Sequence, residues 1–328
     1  MRKIYLSILV CIAPILALAQ TSPSINATWK PDRPVVFVIG AAPGGANDRI
    51  GRALQRALQD SKQVPTMLVV NKPGGGQSIA FSYLATHTGS PYYLGLASSS
   101  WLTTVAAGQS PVSHRDVSPI IKILDEYQVY FVRTDSAIRT GQDIIARLKK
   151  DAGSVSFGFS TAIGNPIHIS IATLGRLAGA IPSKLTAVVY TSGTTTAAQV
   201  AGGHLDVGVQ SPGSAWQLAQ GGKLRLIAVA GPRRLPGELA TVPTLREQGI
   251  IADANVFYTI FGPKGIKPSE LSWWDQSITQ AMQSEQIRKD AEFNSWTIGI
   301  LGHRELPQFL EREHASYRKT LDDMGLLK

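Results

Sequence analysis

The residues in this chain best suited to chemistry lie in glycine- and hydroxyl-rich loops. Pro43, Gly44 and Gly45 follow an apolar, β-branched run at 35–39 and precede Asn47 and Asp48, where apolar residues begin to recur at helical spacing. That order reads as strand, bare-backbone loop and helix. Glycines leave backbone N–H groups open to approach, and a helix N-terminus adds its dipole. The loop from Ala41 through Ala46 to Asn47 can therefore cradle an anion; the alternative is a tight turn. Asp48 is expected to cap the helix. The spacing fits neither a dinucleotide fingerprint nor a P-loop. Asn71-Lys72-Pro73-Gly74-Gly75-Gly76 repeats the theme one strand later, with Lys72 either drawing in an anion or simply solvated. Ser98, Ser99 and Ser100 close a third strand. Tyr190, Thr191, Ser192 and Gly193, followed by Thr194 and Thr195, present hydroxyls and amides suited to a carboxylate or hydroxyl.

One loop has the look of catalytic machinery. Gly158, Ser160 and Ala162 resemble the nucleophile elbow of an α/β hydrolase, and Ser160, Asp206 and His303 supply the chain order of its triad. Against this, Ala162 stands where glycine is usual, Ile163, Gly164 and Asn165 delay the helix, and His303 lies in a tail that reads as helical. None of the six histidines pairs at metal-ligand spacing. His168, one turn into the helix after Ser160 and Thr161, either braces that loop or meets a ligand. Trp216, Trp273, Trp274 and Tyr258 read as core or hinge packing.

Positioning these loops takes an alternation of strands and helices. Strands are expected at 35–39, 66–70 and 93–97, with helices at 48–59, 78–86 and after Ser100. An apolar segment at 120–132, interrupted by Asp125 and Glu126, is too long for an ordinary strand and reads as a crossing between domains. The rhythm restarts with helix 141–150, strand 155–159, helix 166–175, strand 185–190, helix 197–201 and strands 206–209 and 224–230. A return crossing at 256–262 leads into a tail at 268–327, expected to be helical. The pattern predicts an α/β two-domain clamshell, each domain a mostly parallel sheet flanked by helices, joined by two crossover strands. Domain 1 would be 20–124 plus 255–328 and domain 2 125–254. Ligands of such folds sit at the carboxyl ends of strands and in the seam between domains, where hinge closure encloses them.

Composition narrows the function classes. A chain of 328 residues, 44% hydrophobic and 17% charged, is folded rather than disordered. Residues 1–19 read as a secretory signal peptide: Arg2 and Lys3, an apolar stretch at 4–16, and Ala17-Leu18-Ala19 before a cut ahead of Gln20. The single cysteine, Cys11, falls inside it, so the mature chain has no thiol for catalysis, disulfides or metal. No later segment is apolar enough to span a bilayer, and a soluble periplasmic product is expected. The formal charge of +9 falls to +7 without Arg2 and Lys3. The basic residues are scattered and lack aromatic interleaving, which excludes nucleic acid as the favoured partner and leaves acidic ligands, an anionic surface or ordinary solubility.

Taken together, the loops resemble the periplasmic substrate-binding proteins of tripartite tricarboxylate transporters, the Bug (TctC-like) family. The likeness spans essentially the whole mature chain. It is carried by Pro43-Gly44-Gly45 with Asp48 and Arg52, by Asn71-Lys72-Pro73-Gly74-Gly75-Gly76, and by Ser160, Gly164 and His168. Gly202-Gly203 with Asp206, Val242-Pro243-Thr244 with Glu247 and Gly249, and Gly262-Pro263-Lys264-Gly265 complete the order. The resemblance implies a type II-like clamshell that binds a small organic acid through loop amides, hydroxyls and waters. It implies no cofactor and no enzymatic step, and delivery by a monomer to transporter membrane subunits or sometimes to a sensor. It places ligand contacts at Ala41, Pro43–Asn47, Gly75, Gly76, Ser98 and Ser99 on one wall. The other wall would hold Ser160, Thr161, Gly164, Asn165, His168, Tyr190, Thr191, Ser192, Gly193 and Asp206. Gly40 and Ala41 stand where the family often carries Pro-Phe, and Thr191-Ser192 where it has Lys-Gly, so the resemblance does not by itself imply a common carboxylate such as citrate as the ligand.

Overall fold

A computed structural model describes residues 29–327; the expected leader and its cleavage site lie outside the described residues. The chain runs β1 (Val35–Ile39), α1 (Ala46–Asp60), β2 (Met67–Asn71), α2 (Ser78–Ala85), β3 (Tyr93–Ser98) and α3 (Ser99–Ala106) before entering the long β4 (Val117–Arg133). There follow α4 (Gly141–Lys150), β5 (Ser156–Ser160), α5 (Pro166–Leu177), β6 (Thr186–Tyr190), α6 (Gly193–Ala201), β7 (Val207–Gln210), α7 (Pro212–Gln220) and β8 (Leu224–Ala230). The return strand β9 (Asn255–Pro263) leads to α8 (Pro268–Met282), α9 (Glu285–Asn294), β10 (Thr297–Gly302) and α10 (Leu306–Asp323).

Local sequence accounts for most of these elements. In α1, Ile50, Ala53, Leu54, Ala57 and Leu58 are buried, the i, i+3, i+4 stripe of a helix laid on a sheet. In β1 both faces are covered, which is why its sequence is a continuous apolar run rather than an alternation. Pro166 opens α5 at a position where its missing N–H costs nothing, and Asn165 caps it. Trp101 stacks on Phe81 with centroids 3.7 Å apart, and Trp29, Trp273 and Trp274 form an edge-to-face cluster, so Trp273 and Trp274 serve the core.

The strands follow the order β2-β1-β3-β9-β4-β7-β5-β6, with β10 and β8 also on β4. The pairs β1/β2, β1/β3, β5/β6 and β5/β7 are parallel. Every pairing made by β4 and β9 is antiparallel, so the sheet is mixed rather than mostly parallel. The crossing strands cause this: one leaves the first lobe and the other returns, so they run side by side in opposite directions. Along β4, Val117–Tyr127 pairs with β9, and from Gln128 onward the strand pairs with β8 and then β7. The change of sheet thus falls between Tyr127 and Gln128.

Two further expectations are corrected. The tail is not wholly helical: β10 lies antiparallel to β4, with a register shift between Ile298 and Leu301. Its short Thr-Ile-Gly-Ile-Leu-Gly sequence carries two glycines and no clean alternation. Asp48 is not the N-cap of α1, which is Gly45; it is the third helical residue and reaches back to accept the Gly44 N–H at 2.9 Å. No helix among the described residues is long and apolar enough to cross a membrane.

Candidate ligand-binding cleft

The loops following β1, β3, β5, β6 and β7 meet across the seam between the lobes. They enclose an inner cavity of about 70 Å³, room for about five waters. An outer compartment of about 510 Å³ shares Ala41, Asn47, Thr161 and Thr191 with it and adds Gly76 and Tyr190. From the first lobe the inner cavity is lined by Gly45, Ala46, Asn47, Ser98 and Ser100; from the second by Ser160, Thr161, Thr191, Ser192 and Gly193. The N-termini of α1, α3, α6 and α7 therefore face one space. Only α6 has a side-chain cap, from Ser192; the starts of α1, α3 and α7 have none. Apart from Pro212, which has no N–H, and Ser214, whose N–H goes to the Ser211 carbonyl at 3.0 Å, their first-turn N–H groups are orphan donors with the positive end of the dipole behind them.

The first wall is held by a residue that local sequence reading did not single out. Gln77, 1% exposed, accepts from Asn47 Nδ2 at 3.1 Å and from the Ser98 N–H at 3.1 Å, and donates to Ser98 Oγ at 2.5 Å. It adopts a left-handed φ of +78°, unusual for a side chain of this size. A Cβ at position 40 would lie 2.7 Å from Gln77 Cβ, so the glycine just before the loop makes room for this bridge. Below it, Asp48 accepts from Arg52 Nε and Asn71 Nδ2 at 2.9 Å each. Burial raises its carboxyl, but bonds from Arg52, Gly44 and Asn71 more than offset that and leave it below the usual carboxylate range.

On the second wall, Ser160 Oγ donates to Gln210 Oε1 at 3.1 Å, and Gln210 Nε2 donates to Thr196 Oγ1 at 3.2 Å. Thr161 has φ +90°, an outlier for a β-branched residue, with its N–H on the Tyr190 carbonyl at 3.3 Å. Asn165 is fully buried; its Oδ1 accepts the His168 N–H at 2.9 Å and its Nδ2 donates to the Ser160 carbonyl at 2.7 Å. His168 Nδ1 accepts the Gly164 N–H at 3.0 Å, which fixes the lone pair there, and its ring stacks on Phe159. Burial pulls its pKa down to about 4, so the imidazole is neutral. Gly164, Asn165 and His168 thus brace the Ser160 loop from behind and do not line the cavity.

Several other expected contacts are also placed elsewhere. Pro43 and Gly44 are exposed, Gly75 lines neither compartment, and Ser99 is buried within the first lobe. Lys72 Nζ lies over the Tyr83 ring at 4.2 Å. Asp206 sits at the opposite end of β5, where it accepts from the Ser156 N–H at 2.8 Å and Oγ at 2.6 Å; it is a strand-end brace, outside the cleft. The candidate triad is dispersed accordingly. Ser160 bonds to Gln210, Asp206 to Ser156, and His303 to Asp275 in the first lobe.

The floor of the cavity comes from the crossing strands. Glu126 on β4 accepts from Tyr258 Oη at 2.9 Å and from Trp296 Nε1 at 3.1 Å. Burial pushes its carboxyl above the ordinary range, against the opposing pull of Arg49 and of these donors. Gln128 stands beside it, its amide on the Glu126 carbonyl at 2.9 Å. Arg49 donates to the Gly44 carbonyl at 3.0 Å and reaches Ser211 Oγ of the second lobe at 3.4 Å. Glu126, Gln128, Gln210, Ser211, Ser214 and Tyr258 all line the cavity without having been marked by motif; Glu126 showed only as a break in an apolar run.

Known proteins share this fold. The chain is 25% identical over 285 residues to Protein BugT of Bordetella pertussis, covering 85% of this chain and 86% of that one. Its fold matches Rpa4515 of R. palustris with adipate at a TM-score of 0.80, 20% identity and coverage of 90% and 98%. It matches MatC of Rhodopseudomonas palustris with bound malate at 0.74, 16% identity and coverage of 88% and 99%. The family model described as tripartite tricarboxylate transporter family receptor matches residues 50–326, and the chain belongs to that family of periplasmic solute-binding proteins.

Proposed function

We propose that the protein, exported and trimmed near Ala19, captures a small organic acid between a domain formed by 20–124 plus 255–328 and one formed by 125–254, and delivers it as a monomer to transporter membrane subunits. The observation that carries this reading is the convergence of four helix N-termini, three without a side-chain cap, on one cavity. Each such terminus favours an anion by about 0.3–1 kcal/mol, more when partly buried. Ala46, Asn47 and Gly193 would present N–H groups to the carboxylate, while Ser98, Ser160, Thr161, Thr191 and Ser192 supply adjustable hydroxyls. Tyr190 and Gly76 would border the entrance. Closure removes water and strengthens each of these bonds. No bond is made or broken in the captured molecule, and the dispersal of Ser160, Asp206 and His303 favours this over hydrolysis. Bound adipate and malate in structures of the same fold support an acid as ligand.

The test is a thermal-shift screen of the mature chain against mono- and dicarboxylates, amides and neutral alcohols. An acid that binds raises the melting temperature in proportion to the logarithm of its concentration above Kd. Stabilisation by neutral compounds alone would refute the acid-binding reading.

A further inference from the structure

Among the described residues lining the inner cavity, Glu126 is the only acidic one, and no lysine or arginine lines that space. The side chain is 1% exposed. An ionised carboxylate offers about four acceptor sites. Tyr258 and Trp296 donate to it, and the Gln128 amide, bonded to the Glu126 backbone carbonyl, also lies close enough to help hold its charge, which leaves acceptor capacity facing the cavity. A buried carboxylate with unused acceptor capacity on a cavity is matched by a donor from whatever enters. Arg49 does not line the cavity; it donates to the Gly44 carbonyl and reaches Ser211, and its charge acts on Glu126.

We propose that Glu126 sets the ligand class of the cleft: a small acid whose far end carries an N–H donor, ammonium or carboxamide, in place of a second carboxylate. The inference rests on the cleft being an acid-binding site. One end of the molecule is a carboxylate received by the helix N-termini. The other lies against Glu126, with the amides of Gln128 and Gln210 and the hydroxyl of Ser98 beside it. A dicarboxylate of the same length would set its second carboxylate against Glu126 in a space shielded from water, with no cation in the wall. Ammonium and carboxamide share the N–H chemistry, and the two are separable by experiment.

The experiment is calorimetric titration of the mature protein with two matched series: succinate, succinamate and 3-aminopropanoate, and adipate, adipamate and 5-aminopentanoate. In the series of the right length, the wild type should bind an N–H-terminated member at least about tenfold more tightly than the dicarboxylate. Glu126→Gln should reverse that order for an ammonium ligand, weakening it about 100-fold, and should spare a carboxamide, to which glutamine still offers a carbonyl oxygen. The dicarboxylate should bind Glu126→Gln more tightly than wild type. Ratios within one variant are insensitive to a general loss of stability, so a merely destabilised Glu126→Gln does not mimic the reversal. A wild type that prefers the dicarboxylates overturns the inference and leaves acid binding intact. Failure of all six probes to bind while other acids pass the screen overturns it as well. Failure of every acid overturns the cleft reading and this inference with it.

Discussion

The neutral, buried His168 makes a quantitative prediction about acid stability. Its pKa is about 4 in the folded chain, against 6.5 for the free side chain, because burial penalises the imidazolium. The difference corresponds to about 3 kcal/mol at about 1.4 kcal/mol per pKa unit. Between those two values the unfolded chain binds the proton and the folded chain does not, so stability is fully present above pH 6.5 and is lost as pH falls towards 4. The perturbation is His168→Asn, whose Oδ1 can accept the Gly164 N–H in place of Nδ1 but does not titrate in this range. Urea unfolding at pH 7, 5.5 and 4.5 gives the stability of both proteins. The wild type should be the more stable at pH 7, since the variant loses the stack on Phe159, and its advantage should shrink by about 2 kcal/mol by pH 4.5. Glu311, held down to about 2 by Arg115, titrates alike in both proteins and cancels in the difference. A gap that does not change with pH would refute the reasoning, because His168 would then take its proton at the same pH folded and unfolded.

Thr161→Gly should raise unfolding stability by about 1 kcal/mol, the strain at φ +90° less the entropy cost of glycine, while weakening acid binding; unchanged or lower stability in urea would count against stored strain. Gln77→Ala leaves the Ser98 N–H and the Asn47 amide without their partner, so it should cost about 1–3 kcal/mol of stability. Affinity for the best acid of the screen should drop about tenfold, read by calorimetry; an unaltered affinity would mean that the bridge does not orient the first wall. Arg49→Met removes the reach to Ser211 across the seam, and the ligand-free protein should show a larger radius of gyration in small-angle scattering. An identical radius would show that this contact does not bias the lobes.

The loops were legible in the sequence because their signals are local. An apolar β-branched run, a Pro-Gly-Gly stop and a helically spaced stripe mark β1, its loop and α1 without any knowledge of the rest of the chain. The same holds for Ser160, Thr191 and Ser192, which follow strands and face the cavity. What escaped depends on pairing between distant segments. Glu126 becomes a cavity residue only when β4 is set beside β9, with Leu124 opposite Tyr258 and Glu126 opposite Val256. Gln77 acquires its role from the Asn47 and Ser98 groups it bridges, neither adjacent in sequence. Asp206 misled for the opposite reason: a carboxylate near a strand does not declare which end of the sheet it serves, and here it serves the end away from the cleft.

Two strands, β4 and β9, join the lobes, and any rotation of one lobe against the other must turn about them. Points on an axis do not travel. Glu126 and Tyr258, which sit on adjoining strands beside that pivot, would therefore keep their mutual geometry as the lobes turn, whereas Thr191 and Ser192, on the loop after β6, would travel furthest. Inspection of an incoming molecule would thereby be separated in time from its enclosure. A mismatched compound would then meet the fixed floor first and leave before any swing of the jaws. Discrimination would then be written into the rate of the first-order closing step rather than into the lifetime of the shut complex. Stopped-flow fluorescence from Trp296, whose indole touches Glu126, would tell the two apart.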